Sequence, residues 1–445
     1  MTAPGMAEIT GNGPVLVYGL GVTGRAAAAA LVRRGHDVRL ADDAPSSAAL
    51  ALADDLGIGI DRDPVELLAG AGALLPTPGL PDAHPVFALA QAHHVPVISE
   101  FDLAAAWDER PIVAITGTNG KTTVTTLVRD VLCASGRVAV DAGNTEIPLV
   151  EAIDDATVEV FVVEASSFRL GHSRHFAPDV GCWLNFAPDH LDVHAGLDRY
   201  EAAKARIWAD QSPGQVAVAN ADDPVVMSHA TGPGRVVTFG LGPADYFDDG
   251  DTLRRPDGSA VIAVADLFRA LPHDRSNALA VAACSDPVGA TAEGTAEVLA
   301  AFGGLSHRVE LVGTSGGISW YDDSKATAPH ATAAAVAGFG SVVLIAGGRN
   351  KGLDLSVLGR ADSVRAVVGI GESAEEVTAA FPGRPSVTAS TMSDAVSEAA
   401  RLARSGDVVV LSPACASFDW YRNYGERGDD FVRCVQDLVL SGGGS

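Results

Sequence analysis

An apolar run, Pro111-Ile112-Val113-Ala114-Ile115-Thr116, passes without a break into Gly117-Thr118-Asn119-Gly120-Lys121-Thr122, and Thr122 to Ala134 then carries helical periodicity. Few folds accept that order. A buried strand that turns on glycine into a helix must return to the same sheet by a crossover, which builds parallel β-α-β structure. The loop also has a chemical meaning. Free backbone N–H groups and the positive end of the helix dipole form a cradle for anions. Lys121 can neutralise the β- and γ-phosphates of a nucleotide, and the Thr122 hydroxyl can ligate Mg²⁺. The longer form of this loop begins with a glycine where Ile115 stands, so the match is to the short Gly-Thr-Asn-Gly-Lys-Thr-Thr variant. A plain strand–turn–helix connection is the alternative, and the strand and helix on either side favour the phosphate reading.

The rest of the chain repeats the same grammar. Val15-Leu16-Val17-Tyr18 reads as a buried strand, followed by Gly19-Leu20-Gly21-Val22-Thr23-Gly24 and a helix from Arg25 to Arg34. A strand from Asp37 to Ala41 follows, finishing at Asp42-Asp43. This turn suits NAD, FAD or another diphosphate, and the aspartates read either as ribose or base contacts or as loop caps. Ala73–Leu75 and Val95–Ile98 are expected as further strands. In the middle of the chain, strands are expected to end at Glu164, Asn185 and Asn220; beyond Gly303-Gly304-Leu305, a plausible linker, others cover Val342–Ala346, Ala366–Ile370 and Val408–Leu411. Parallel sheets hold ligands at the C-terminal ends of their strands, where these polar residues fall.

At 445 residues the chain is too long for one core, and its 47% hydrophobic and 20% charged residues are a globular composition. Segments of 1–100, 101–304 and 305–445 are the expected domains. A net charge of −25 argues against nonspecific binding to nucleic acid or anionic membrane. No apolar run is long enough to suggest a membrane span, and the residues up to Gly13 lack the basic-then-apolar order of a signal peptide. The cysteines at 133, 182, 284, 415 and 434 are scattered and odd in number, which argues against a disulfide framework and for a reducing cytoplasm. Ser441–Ser445 reads as a frayed tail.

Several side chains stand out by position. Glu164 at a strand end suits a Mg²⁺ beside the phosphates. Asp189-His190 could be a simple hydrogen-bonded pair, and Lys204 a solvated helix residue, or both could be catalytic. Arg308 could reach a phosphate in the manner of an arginine finger or make an ordinary ion pair.

With these motifs in this order the chain resembles the Mur ligase family over essentially its whole length. The resemblance is carried by the Gly117–Thr122 loop, Glu164-Ala165-Ser166-Ser167-Phe168, Asn185–Asp192 with Lys204, and Asp323-Ser324-Lys325-Ala326-Thr327. The closing segment Ser412–Gly428 points to the member that adds D-glutamate to UDP-N-acetylmuramoyl-L-alanine. The resemblance implies an α/β fold of three domains: a Rossmann-like UDP-binding domain, a central P-loop ATPase-type domain and a C-terminal Rossmann-like amino-acid domain. It implies a cytoplasmic enzyme of peptidoglycan synthesis, which uses ATP and two Mg²⁺ ions and passes through an acyl phosphate; on oligomeric state the sequence is silent, and a monomer is the default expectation. The resemblance assigns the phosphates to Gly117, Thr118, Asn119, Gly120, Lys121, Thr122 and Thr123. One Mg²⁺ falls to Thr122 and Glu164, the other to His190 and a carbamylated Lys204. Asn144 matches a residue at the reacting carboxylate, and Asn277, Arg308 and Asp323 match nucleotide contacts. Lys325, Thr327, Lys351, Ser417 and Tyr424 match positions around the glutamate. Val22, Thr23, Asp42, Asp43 and Gly79 match UDP-sugar contacts. Three departures from the family pattern are Asp274 for Asn after His273, Ala328 for Asn after Thr327, and Thr77 for Ser before Pro78-Gly79.

Overall fold

A computed structural model describes residues 5–11 and 13–442. The chain forms two compact units. The first runs to Phe186 and includes Asp192–Ala270 and Asp274–Phe302; the second holds Ala187–Leu191, Leu271–His273 and the chain from Gly303 on. There are three sheets among the described residues, two in the first unit and one in the second.

The first sheet has four parallel strands in the order Ile60–Asp61, Val38–Ala41, Val15–Tyr18, Ala73–Pro76. The helix after Val15–Tyr18 starts at Val22, three residues before the expected Arg25. Gly24 lies in its first turn because a Cβ there would fall 2.0 Å from the Gly19 carbonyl oxygen. The strand expected at Val95–Ile98 is a correction: only a single bridge joins Leu74 to Val97. Pro96 has no N–H to extend the ladder, although its carbonyl accepts from Leu74 N at 2.8 Å.

The second sheet has nine strands. Ala139–Gly143, Val160–Glu164, Ile112–Thr116, Val180–Trp183, Val216–Asn220, Arg235–Gly240 and Tyr246–Asp248 run parallel, and Thr252–Arg254 and Ala260–Ala263 close one edge antiparallel. Val113, Ile115, Val162, Val180, Cys182 and Val218 pack with Leu127, Val128 and Val131 of the loop's own helix and with the Ala-rich face of Pro272–Ser285. That packing buries Val113 and Ile115 of the Ile112–Thr116 strand against the two helices. The second unit has six strands in the order Glu310–Ser315, Ile318–Asp322, Val408–Leu411, Val342–Gly347, Val364–Ile370, Ser386–Ala389, parallel except for the first.

The α/β fold class is as expected, and all five cysteines are unpaired. No helix among the described residues is long and apolar enough to cross a membrane. The expected tail is partly a correction: Ser441 and Gly442 belong to the last helix, Tyr424–Gly442, and 443–445 lie outside the described residues.

Candidate active site

Ile115 pairs with Glu164 in the parallel register, so the carboxylate ends the strand beside the one that feeds the glycine loop. Gly120 caps the helix Lys121–Ala134 in a left-handed conformation (φ 83°), and no side chain caps that end. The loop is held from below by Asn185: its carbonyl accepts from Thr118 N at 3.0 Å, its Oδ1 from Asn119 N at 2.8 Å, and its Nδ2 donates to Asn119 O at 3.2 Å. Two ammonium groups converge on the same carbonyl. Lys121 Nζ donates to Gly117 O at 2.9 Å and to Thr118 O at 3.1 Å, and Lys204 Nζ donates to Gly117 O at 2.7 Å.

Lys204 comes from the helix Leu197–Ala209 and is only 1% exposed, so it is not the solvated surface lysine of the plain reading. Its ammonium lies 4.5 Å from the centre of the Tyr200 ring, whose hydroxyl is 3.2 Å from Thr118 Oγ1. Asn277 reaches the loop from the helix Pro272–Ser285, and a Cβ on Gly120 would come within 3.0 Å of its Oδ1.

Glu164 is 3% exposed. Its Oε1 accepts from Asn144 Nδ2 at 2.9 Å, while its Oε2 is buried with no hydrogen-bond partner, as is Thr116 Oγ1 at the end of the strand that feeds the loop. A buried carboxylate oxygen without a partner is costly unless something completes it. The donor set therefore fits a hard divalent cation.

In the first sheet, Asp42 is a loop cap: its two oxygens accept from Leu20 N at 2.6 Å and Ala44 N at 2.8 Å. Asp43 accepts from the Tyr18 hydroxyl at 2.6 Å and lies 3.2 Å from His84 Nε2. Burial, with Asp43 second, raises the Tyr18 hydroxyl above its ordinary pKa. Val22 stands exposed at the helix start, and Gly79 has φ 86° in the turn after the fourth strand. Thr23 is buried and accepts from Arg169 Nη2 at 2.8 Å.

The second unit gathers its own cluster. Arg308 sits between two residues with left-handed backbone, His307 (φ 60°) and Val309 (φ 51°). His307 Nδ1 lies 2.6 Å from Asp322 Oδ2. Asp323 is buried, accepts from Ser412 Oγ at 2.7 Å, and is raised to a pKa of about 7 chiefly by burial. Lys325 Nζ sits 3.7 Å from the centre of the Tyr424 ring. The loops of Lys351 and Ser417 are tied by paired backbone bonds between Arg349 and Ala416 at 2.9 and 3.0 Å. Thr327 is half-buried beside Ala328. His190 belongs to the short segment Ala187–Leu191 of this unit, with φ 55° and Nε2 3.7 Å from Asp189 Oδ2.

The Mur ligase middle domain matches residues 115–284, and the Mur ligase, glutamate ligase domain matches residues 307–415. The UDP-N-acetylmuramoylalanine--D-glutamate ligase of Frankia casuarinae is 42% identical over 443 residues, covering 95% of this chain and 94% of that protein. The chain belongs to the Mur ligase family. A protein of the same name from Shouchella clausii is 39% identical and covers 96% of this chain and 97% of its own. Among solved structures, a Mur ligase of Thermotoga maritima, MurF in complex with ADP, superposes with a TM-score of 0.60 over 92% of this chain and 90% of that one, at 16% identity, a likeness of fold.

Within this Mur ligase, two departures have local partners and one removes one. Asp274 pairs both oxygens with Arg269, at 2.7 Å each to Nε and Nη2. Thr77 places its methyl group above the glycine turn, where a Cβ on Gly19 would lie 2.5 Å from it. Ala328 begins the helix Pro329–Ala337 with no side-chain cap, the role an Asn could have filled. Motif reading assigned no role to two buried arginines that tie these segments together, although Arg427 lies within the closing segment that carries the resemblance. Arg427, 2% exposed, donates to Ser324 Oγ at 3.0 Å, Ser324 O at 2.8 Å and Cys415 O at 3.1 Å, and burial lowers it to about 10. Arg169 joins Thr23 to Asn144. A lone arginine carries no sequence signal for such bridging, because its partners are remote in the chain.

Proposed function

We propose that this Mur ligase adds D-glutamate to UDP-N-acetylmuramoyl-L-alanine with hydrolysis of ATP to ADP and phosphate, in the cytoplasmic stage of peptidoglycan synthesis. The observation that carries the reading is the buried, unpartnered Glu164 Oε2 beside a complete phosphate loop. The near full-length likeness to ligases of that name supports the choice of amine.

In this reading, residues 1–100 bind the UDP-sugar, 101–304 bind ATP and 305–445 bind the amino acid. Val22, Thr23, Asp42, Asp43 and Gly79 flank the UDP-sugar. Asp42 does so as the residue that shapes the turn. Gly117 through Thr123 cradle the phosphates, Lys121 swings from the loop carbonyls to the β/γ-phosphates, and Asn277, Arg308 and Asp323 contact the nucleotide. Thr122 and Glu164 would hold one Mg²⁺, and His190 with a carbamylated Lys204 a second. When bound, the ions offset the negative charge gathered by three anionic reactants.

Asn144 orients the substrate carboxylate for attack on the γ-phosphate. The amine of D-glutamate, placed by Lys325, Thr327, Lys351, Ser417 and Tyr424, then displaces phosphate from the acyl phosphate. The protein works as a monomer. With UDP-N-acetylmuramoyl-L-alanine, D-glutamate and MgATP together, phosphate release should be rapid, and leaving out either acceptor or amine should reduce it to background. Equal release without the acceptor would count against the reading.

A further inference from the structure

Arg169 stands five positions after Glu164 in the short helix Ser167–Leu170, and its side chain is 6% exposed. Each of its nitrogens has a different partner. Nε donates to Glu100 Oε1 at 3.0 Å, Nη1 to Asn144 Oδ1 at 2.9 Å and Nη2 to Thr23 Oγ1 at 2.8 Å. Glu100 is itself buried, and its other oxygen accepts from Val150 N at 3.2 Å.

Arginine offers only donors. The Asn144 amide must therefore turn its oxygen to Arg169, and its NH₂ then faces Glu164 Oε1 at 2.9 Å. A flipped amide would set N–H against N–H on one side and oxygen against carboxylate on the other. With Oε1 taken, Oε2 is the Glu164 oxygen left without a partner. The Glu100 carboxylate compensates the guanidinium, so Arg169 orders this row of side chains without setting an unbalanced positive charge near a cation site.

We propose that Arg169 is a positioning residue: it locks the Asn144 amide and thereby commits Glu164 Oε2 to the divalent cation. This rests on the reading of Glu164 as a metal ligand. The experiment is a calorimetric titration of Mn²⁺, standing in for Mg²⁺, into the full chain with saturating ADP. Two variants are compared with the parent: Arg169→Met combined with Glu100→Gln, which leaves no lone buried charge, and Arg169→Lys, which keeps the ion pair and loses the fork. Glu164→Gln is the reference.

Thermal midpoints are recorded alongside. A purely structural role would lower the midpoint and leave the Mn²⁺ affinity of the folded protein unchanged. The expected result is Mn²⁺ binding weakened about tenfold or more in both Arg169 variants, in the direction of Glu164→Gln. Should the double variant fail to fold, Arg169→Lys decides. Parent-like Mn²⁺ affinity in Arg169→Lys, with Glu164→Gln weakened, overturns the role of Arg169 and leaves the metal reading standing. Parent-like affinity in Glu164→Gln overturns both.

Discussion

Lys204 is held in the interior, with its Nζ 2.7 Å from Gly117 O and the Tyr200 ring beside it. A buried ammonium next to bound phosphates could serve by charge alone. The proposed carbamate would serve instead as an anionic oxygen ligand. The two separate by rescue. Lys204→Ala should lose activity by a factor on the order of 10² or more, and a short-chain carboxylic acid should restore part of it. Rescue by an alkylamine and none by the acid would favour the plain lysine.

His172 gives a second prediction at this scale. Burial, opposed by Asp82 and reinforced by His194 and Arg199, lowers its ring to a pKa of about 4. Its ring stacks on Phe87 with centroids 5.0 Å apart. The fold favours the neutral ring, so between about pH 6.5 and pH 4 protons bind mainly to the unfolded chain. The associated stability is complete above that window and is lost as the pH falls through it, by about 3 kcal/mol at most. The drop in thermal midpoint between pH 7.5 and 5.0 should be smaller in His172→Phe than in the parent. An equal drop would place the acid sensitivity elsewhere.

Among elements, the strand–loop–helix from Ile112 to Ala134 does most to position chemistry. Its start depends on Gly120, where φ is 83° and the space above Cα is filled by Asn277 and Leu184. Gly120→Ala adds left-handed strain of about 1–2 kcal/mol and pushes on a residue proposed to contact the nucleotide. ADP affinity should fall by about tenfold or more, with a drop of several degrees in the first thermal transition; unchanged affinity by calorimetry would contradict this account of the loop.

This element was legible because its strand is a continuous apolar run and its helix is amphipathic. Other elements were not. Tyr246–Asp248 and Thr252–Arg254 lie among Asp and Gly residues, and Glu310–Ser315 alternates no hydrophobic face, so none shows a strand pattern. Val95–Ile98 had the apolar pattern but not the N–H groups, since Pro96 interrupts it. At the site, the loop and Glu164 could be read from spacing. That Asp42 caps its loop is visible only from where Leu20 N and Ala44 N point. The Thr23–Arg169–Asn144–Glu164 row joins residues up to 146 positions apart, which no local pattern encodes.

On the scale of the whole molecule, the three mostly parallel sheets among the described residues each place polar or glycine-rich turns at their C-terminal strand ends, where α/β proteins bind ligands. A chain with a net charge of −25 must collect anionic reactants against its own mean field. The cations proposed to meet them are built into the fold: Lys121 and Lys204 at the phosphate loop, and Arg308, Lys325 and Lys351 in the second unit. Family membership rests on the near full-length likeness to its relatives; in the proposed reading the incoming amine is chosen by the second unit's loops at Lys351 and Ser417 and by Tyr424. The most direct measurement is phosphate release from MgATP and UDP-N-acetylmuramoyl-L-alanine with a panel of amines. Turnover with D-glutamate, and background rates with L-alanine, L-lysine and diaminopimelate, is the predicted result. Turnover with L-lysine or diaminopimelate and none with D-glutamate would contradict it.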